Sequence, residues 1–153
     1  MSSLELKVPP VLQVIIIAFA MYGLSGLFPN LQVIGFGTNW LASSLAVVGI
    51  VLAIMGVLAF KKAQTTVNPH TPEKSARLVT SGIYHYTRNP MYLGMLLVLL
   101  GWAFYLSNFA ALFVLPIFII YMSRFQIQPE ERFMMRKFGD EYRAYVIKVR
   151  RWL

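Results

Sequence analysis

Between Lys7 and Lys61 the chain carries no Asp, Glu, Lys or Arg, a run of 53 residues without a formal charge. A second such run, of 35 residues, lies between Arg88 and Arg124. A helix needs ~20 apolar residues to cross a hydrocarbon core of ~30 Å, where every backbone N–H and C=O must pair within the protein. The first run therefore holds two spans, expected at about 9–28 and 40–60. The second is too long for one crossing, since 35 helical residues at ~1.5 Å each reach about 50 Å. It is expected to turn at Leu106-Ser107-Asn108 into a tight hairpin with arms at about 91–106 and 109–125, Pro116 loosening the second arm. Such a hairpin returns Arg88 and Arg124 to the same surface.

Composition agrees with a membrane class. Of 153 residues 58% are hydrophobic and 13% charged, roughly half the charged fraction of a soluble domain. The expectation is one all-α integral membrane domain, 1–153, with four transmembrane helices including the short hairpin. A polar loop at 61–90 and an amphipathic C-terminal helix at 129–150 complete it. A cleaved signal peptide competes for the first run, but one Lys is a thin basic region and the apolar stretch is long, so a retained helix is expected.

All 14 Lys and Arg lie in the first tail, in 61–88 or in 124–151. With an even number of spans these regions share one side, and the positive-inside rule makes that side cytoplasmic. The net charge of +8 is then explained by anionic lipid, with membrane lipids as partners and no nucleic acid. The expected setting is a bacterial or archaeal plasma membrane with the site facing the cytoplasm. Zero cysteines exclude disulfides, a thiolate nucleophile and thiolate metal ligands. His70 and His85 lack a carboxylate pattern at ligand spacing, so no metal is expected. No GxGxxG, Walker A, GxSxG or HExxH pattern occurs.

The most particular stretch is Gly82–Gly94, Gly-Ile-Tyr-His-Tyr-Thr-Arg-Asn-Pro-Met-Tyr-Leu-Gly. It marks the change from polar loop to apolar span, with Arg88 at the membrane surface and Pro90 at a helix start, where its missing N–H costs nothing. Ahead of it, 65–74 contains Pro69, His70 and Pro72. Two prolines three residues apart forbid a continuous helix, and a loop this long in a small protein is usually functional. After the hairpin, Met134, Phe138, Tyr142, Tyr145, Val149 and Trp152 recur at steps of three and four between charged residues. That pattern is an amphipathic helix able to lie in the interface or cover a pocket, interrupted at Gly139-Asp140. Glu130 and Glu131 occupy its first turn, where acids favour the helix dipole. Adjacent positions point about 100° apart, so one carboxylate is expected to face the pocket and the other water. A carboxylate there suits a cationic ligand group such as an ammonium or sulfonium.

Leu78-Val79-Thr80-Ser81-Gly82-Ile83-Tyr84, Arg88-Asn89-Pro90-Met91-Tyr92-Leu93-Gly94, Glu130-Glu131 and Phe138-Gly139-Asp140-Glu141-Tyr142 together resemble the isoprenylcysteine carboxyl methyltransferase family. The related phospholipid methyltransferases share the Arg-x-Pro and Glu-Glu elements. The resemblance covers roughly residues 65–152; the first two spans match only in hydrophobicity. It implies a small membrane methyltransferase that binds S-adenosylmethionine between the hairpin and the C-terminal helix, and acts on a lipidic or prenylated acceptor. By position, Leu78, Val79, Tyr84, Asn89, Pro90, Met91, Tyr92 and Glu130 would hold the cofactor. Arg88 and Glu131 would be catalytic, and Arg124 or Gln126 would face the acceptor. The family usually has His where this chain has Asn89, and its arginine near the acceptor aligns nearer Gln126 than Arg124. Two other readings are a reductase, because membrane sterol reductases have a similar C-terminal half that binds NADPH, and a non-catalytic membrane module with a relict pocket.

Overall fold

The computed structural model of the chain describes residues 5–32, 38–63 and 77–153. The expected functional loop at 65–74, with His70, lies outside the described residues, as does the middle of the connection between the first two helices. Among the described residues six α-helices follow one another: α1 (Pro10–Leu27), α2 (Thr38–Lys62), α3 (Pro90–Leu106), α4 (Phe109–Leu112), α5 (Leu115–Tyr121) and α6 (Gln128–Lys148). Among the described residues there is no strand, only one antiparallel bridge between Gln32 and Asn108. This is an all-α integral membrane fold. The apolar faces of α1 and α2 are left uncovered, Phe19 being 72% and Trp40 82% exposed, as lipid-facing helices require.

The α2–α3 pair is the spine. Gly49, Gly94 and Gly101 sit where the two backbones touch: a Cβ on Gly49 would lie 2.5 Å from the Gly94 carbonyl oxygen, and one on Gly101 2.6 Å from that of Ala42. In lipid there is no hydrophobic drive between helices, and small residues supply association by letting backbones approach. Helix α1 leans on the other side of α3, and the Trp102 indole N–H donates to the Ala18 carbonyl at 3.1 Å.

The hairpin turns at Ser107, in the left-handed region at φ 50°. Asn108 then caps α4 through its Oδ1, which accepts from the Ala110 N–H at 2.8 Å. Its Nδ2 donates to the carbonyls of Ser25 and Phe28, which ties the turn to the end of α1.

The second arm departs from the simple helix expected at 109–125. It breaks after α4, resumes as α5 with Pro116 in its first turn, and continues as a π-helical turn, Met122–Ile127, straight into α6. No loop separates arm from tail. The cause is local. Pro129 lacks the N–H that would bond the Phe125 carbonyl one turn back. That carbonyl instead accepts from the Leu6 N–H at 3.0 Å, and a Glu5–Arg132 ion pair at 2.7 Å holds the same N-terminal segment on α6. The wider π turn absorbs the missing bond; such turns recur at functional sites. Within α6, Gly139 (φ 51°, ψ −120°) kinks the helix. Nine of the 21 residues of α6 are charged, which keeps it out of the hydrocarbon.

Candidate functional site

The first turn of α3, the turn before it and both halves of α6 line a cleft of about 90 Å³ that is open to solvent on one side. Pro90 begins α3 and fixes its entry, so Met91 and Tyr92 emerge in the first turn. A 3₁₀ turn at Gly82–His85 delivers Tyr84, which is buried and meets Phe60 of α2 edge-on with ring centroids 5.3 Å apart. The kink at Gly139 lets α6 wrap the cleft, with Glu130 and Glu131 on its first half and Tyr142 and Tyr145 on its second. The second half is pinned to the 3₁₀ turn by the Tyr145 hydroxyl, which donates to the Tyr84 carbonyl at 2.6 Å.

Nine of the residues singled out from sequence line this cleft: Leu78, Val79, Tyr84, Arg88, Asn89, Met91, Tyr92, Glu130 and Glu131. Pro90 is buried at the helix start and shapes the wall without forming it. Gln126 lies behind the wall, fully buried, and donates through Nε2 to Glu130 Oε1 at 2.6 Å. Arg124 is exposed, its guanidinium 5.9 Å from the Phe125 ring centre, and is not part of the cleft. Phe60, Arg77, Met134, Tyr142 and Tyr145 also line it. Met134 and the two tyrosines stand in the three-and-four stripe already visible in the sequence; nothing there pointed to Phe60 or Arg77.

The two carboxylates do different work, and the division expected between pocket and water is not found. Glu130 accepts from the Tyr92 hydroxyl and from Gln126, both at 2.6 Å and both on Oε1. Burial pushes its carboxyl up from 4.5 to about 7; Glu131 pushes the same way, and the two hydrogen bonds oppose. Glu131 is turned inward as well, its side chain 18% exposed, and is shared by two guanidiniums. Arg88 Nη2 reaches its Oε1 at 3.2 Å. Arg151 takes both oxygens, Nε to Oε1 at 3.1 Å and Nη2 to Oε2 at 2.6 Å. Burial also raises Tyr142, to about 12, and Tyr145 and Tyr84 further, so these rings stay neutral walls.

The segment after α6 closes the back of the site. The Arg150 carbonyl accepts from the Arg88 N–H at 3.0 Å. The Arg151 carbonyl accepts from Asn89 Nδ2 at 2.9 Å and from the Thr87 hydroxyl at 3.3 Å. Asn89 is therefore already engaged by backbone through one of its two N–H groups. Among the described residues, Arg88 Nε is a buried donor of the cleft with no partner.

Two carboxylates, five aromatic rings and a polar back wall thus meet in one cleft at the end of a membrane helix pair. The model of the phospholipid methyltransferase family matches residues 38–141, more than half of the chain. The chain belongs to this family. Its matched region takes in α2, the hairpin and most of α6. A protein-S-isoprenylcysteine O-methyltransferase of Schizosaccharomyces pombe is 40% identical over 78 residues, which cover 50% of this chain and 32% of that protein. A probable protein-S-isoprenylcysteine O-methyltransferase of Oryza sativa subsp. indica is 30% identical over 125 residues, 80% of this chain and 64% of the relative. The chain thus spans a third to two thirds of the length of these two methyltransferases. A Haemophilus influenzae protein of uncharacterised function is 52% identical over 63 residues, its whole length and 41% of this chain. No solved structure matches the chain.

Proposed function

We propose that the cleft binds S-adenosylmethionine and that the protein methylates a lipidic or membrane-associated acceptor at the cytoplasmic membrane face. Family membership and the isoprenylcysteine methyltransferase relatives support the reaction class. The observation that carries the reading is the meeting of Tyr92, from the Arg-Asn-Pro-Met-Tyr motif, with Glu130 across 2.6 Å inside an aromatic cleft. The donor set fits the cofactor's chemistry. A carboxylate and the faces of Phe60, Tyr84, Tyr92, Tyr142 and Tyr145 suit a sulfonium or ammonium cation. The unpaired Nε–H of Arg88 suits a carboxylate oxygen.

When bound, S-adenosylmethionine supplies an electrophilic methyl group on a positively charged sulfur. Glu130, kept in one rotamer by Tyr92 and Gln126, would face that cationic end. The rings keep water from the reacting atoms, and a fixed approach supplies much of the acceleration in such a displacement. A carboxylate or thiolate acceptor reacts as it is. An amine acceptor must first release a proton, which Glu130, with a carboxyl near 7, is placed to accept. A water-soluble cofactor enters from the solvent mouth, and a lipidic acceptor enters between helices.

Calorimetry on detergent-purified protein tests the reading. S-adenosylhomocysteine is expected to bind and NADPH is not. Binding of NADPH alone would make the protein a reductase of sterol-reductase type, and binding of neither a non-catalytic module. A lipid extract incubated with protein and methyl-labelled donor, resolved by mass spectrometry, then names the acceptor.

A further inference from the structure

Arg151 stands in none of the motifs above and does not line the cleft, yet it makes the firmest polar contact in the site. Its guanidinium grips both oxygens of Glu131, a bidentate geometry that lysine cannot reproduce. Its own carbonyl is held by Asn89 and Thr87, and Arg150 is held by the Arg88 N–H, so the backbone behind the grip is fixed too. Trp152 extends the anchorage, its indole N–H reaching the Ser123 hydroxyl at 3.3 Å. Glu131 in turn holds Arg88 through one Nη2 contact.

Two guanidiniums on one carboxylate leave the trio with a net positive charge. The Arg88 side chain is only 10% exposed, lines the cleft, and keeps a buried Nε–H with no acceptor. Leaving a charged group's donor unpaired out of water is costly. An acceptor on a bound ligand would satisfy that N–H.

We infer that Arg151 is a positioning residue: it clamps Glu131, Glu131 holds Arg88, and the free Nε–H of Arg88 is thereby presented to an anionic oxygen of the bound ligand. The inference rests on the proposed methyl-transfer reading for the ligand's identity. The oxygen is a carboxylate oxygen, from the amino-acid end of the cofactor or from an acidic acceptor.

The test uses the full-length protein in detergent, with Arg151→Gln and Arg151→Lys, titrated with S-adenosylhomocysteine, its decarboxylated analogue and a farnesylcysteine carboxylate. Circular dichroism and melting temperature check the fold. Arg151→Lys keeps the charge and decides the matter if Arg151→Gln does not fold. Arg151→Lys is expected to weaken S-adenosylhomocysteine about tenfold, equivalent to about 1.4 kcal/mol, and to leave the decarboxylated analogue unchanged, which assigns the oxygen to the cofactor. Weakening confined to farnesylcysteine assigns it to the acceptor. Wild-type affinity for every ligand would make Arg151 a plain membrane-surface cation and overturn the inference, as would equal losses for S-adenosylhomocysteine and its decarboxylated analogue. Wild-type protein that binds none of the three refutes the methyl-transfer reading instead, a separate outcome.

Discussion

Helix α3 is packed in two contrasting ways. Along its length it meets α2 so closely that glycine hydrogens face carbonyl oxygens, whereas at its first turn it meets α6 across an open, aromatic and charged cleft. Side-chain size decides which occurs. Gly94 and Gly101 let the backbones touch, and that contact makes a rigid platform; Met91 and Tyr92, within the preceding turn, hold the next helix away. Membrane helices without a hydrophobic drive gain specificity from the first kind of contact, and ligand space comes from the second. The site is an edge left open beside a seam that cannot slide.

The most damaging way to break this contrast is to open the seam. Gly94→Leu would place a side chain against the backbone of Gly49 and Ala53. Backbone cannot yield as a flexible side-chain tip can, so the loss is expected to exceed the ~1–3 kcal/mol typical of overpacking. The check is the unfolding midpoint in detergent; a midpoint near wild type would mean that α2 and α3 are not locked.

A change on the open edge has a different signature. Glu130→Gln is expected to weaken S-adenosylhomocysteine by ~10–100-fold, the worth of a hydrogen bond to a charged group, with the helices intact by circular dichroism. The pH dependence follows from the raised carboxyl. Between about 4.5 and about 7 the folded chain binds the proton that the unfolded chain releases, so in the wild type this group's stabilising contribution falls as pH rises through that window. The slope is at most ~1.4 kcal/mol per pH unit. Ligand binding runs the other way: a cationic group binds more tightly as pH rises toward 7. Melting curves of wild type and Glu130→Gln across pH 4.5–8 isolate both effects, and parallel curves would remove Glu130 from the account.

Why the sequence disclosed so much of this, and not all, can be traced to particular residues. Charge-free runs reveal spans because the bilayer forbids unpaired charge at almost any position, and this made the all-α membrane class legible. The turn at Ser107-Asn108 was readable because length alone required a reversal near the middle of the second run. The π turn was not, since it depends on the Leu6 N–H answering Phe125 from more than a hundred residues away. Cleft residues next to one another in sequence, such as Asn89, Met91 and Tyr92, came with the motif; Phe60 and Arg151 reach the site through the fold. Arg124 was placed facing the acceptor by the family resemblance, but its side chain turns away toward Phe125. Glu131 was expected to divide pocket and water with Glu130, which took no account of two arginines competing to pair with it.

At the far end of the platform Asn108 provides an intermediate test. Asn108→Ala removes the α4 cap and strips two carbonyls at the end of α1 of their donor. The expected cost is ~1–3 kcal/mol in unfolding free energy, with S-adenosylhomocysteine affinity unchanged because the cleft lies at the opposite end of α3. A loss of affinity without loss of stability would show that the hairpin turn, and not the α2–α3 seam, sets the cleft.

A further test separates two uses of glycine. Gly94 is needed for space, but a Cβ on Gly139 would meet nothing within 4 Å, and what matters there is its φ of 51°. Gly139→Ala therefore carries a backbone penalty alone, of order ~1–3 kcal/mol if the kink is held. The chain can avoid that penalty by straightening α6, which would carry Tyr142 and Tyr145 away from Glu130 and break the Tyr145 bond to the Tyr84 carbonyl. Affinity separates the two outcomes: a kink held by its contacts lowers the melting temperature and spares S-adenosylhomocysteine binding, whereas a straightened helix weakens binding as well. The 2.6 Å bond from Tyr145 favours the first outcome, because straightening would leave a buried carbonyl and a buried hydroxyl without partners. Tyr145→Phe combined with Gly139→Ala should switch the protein to the second, and a double variant that still binds like wild type would show that the outer half of α6 has no part in holding the ligand.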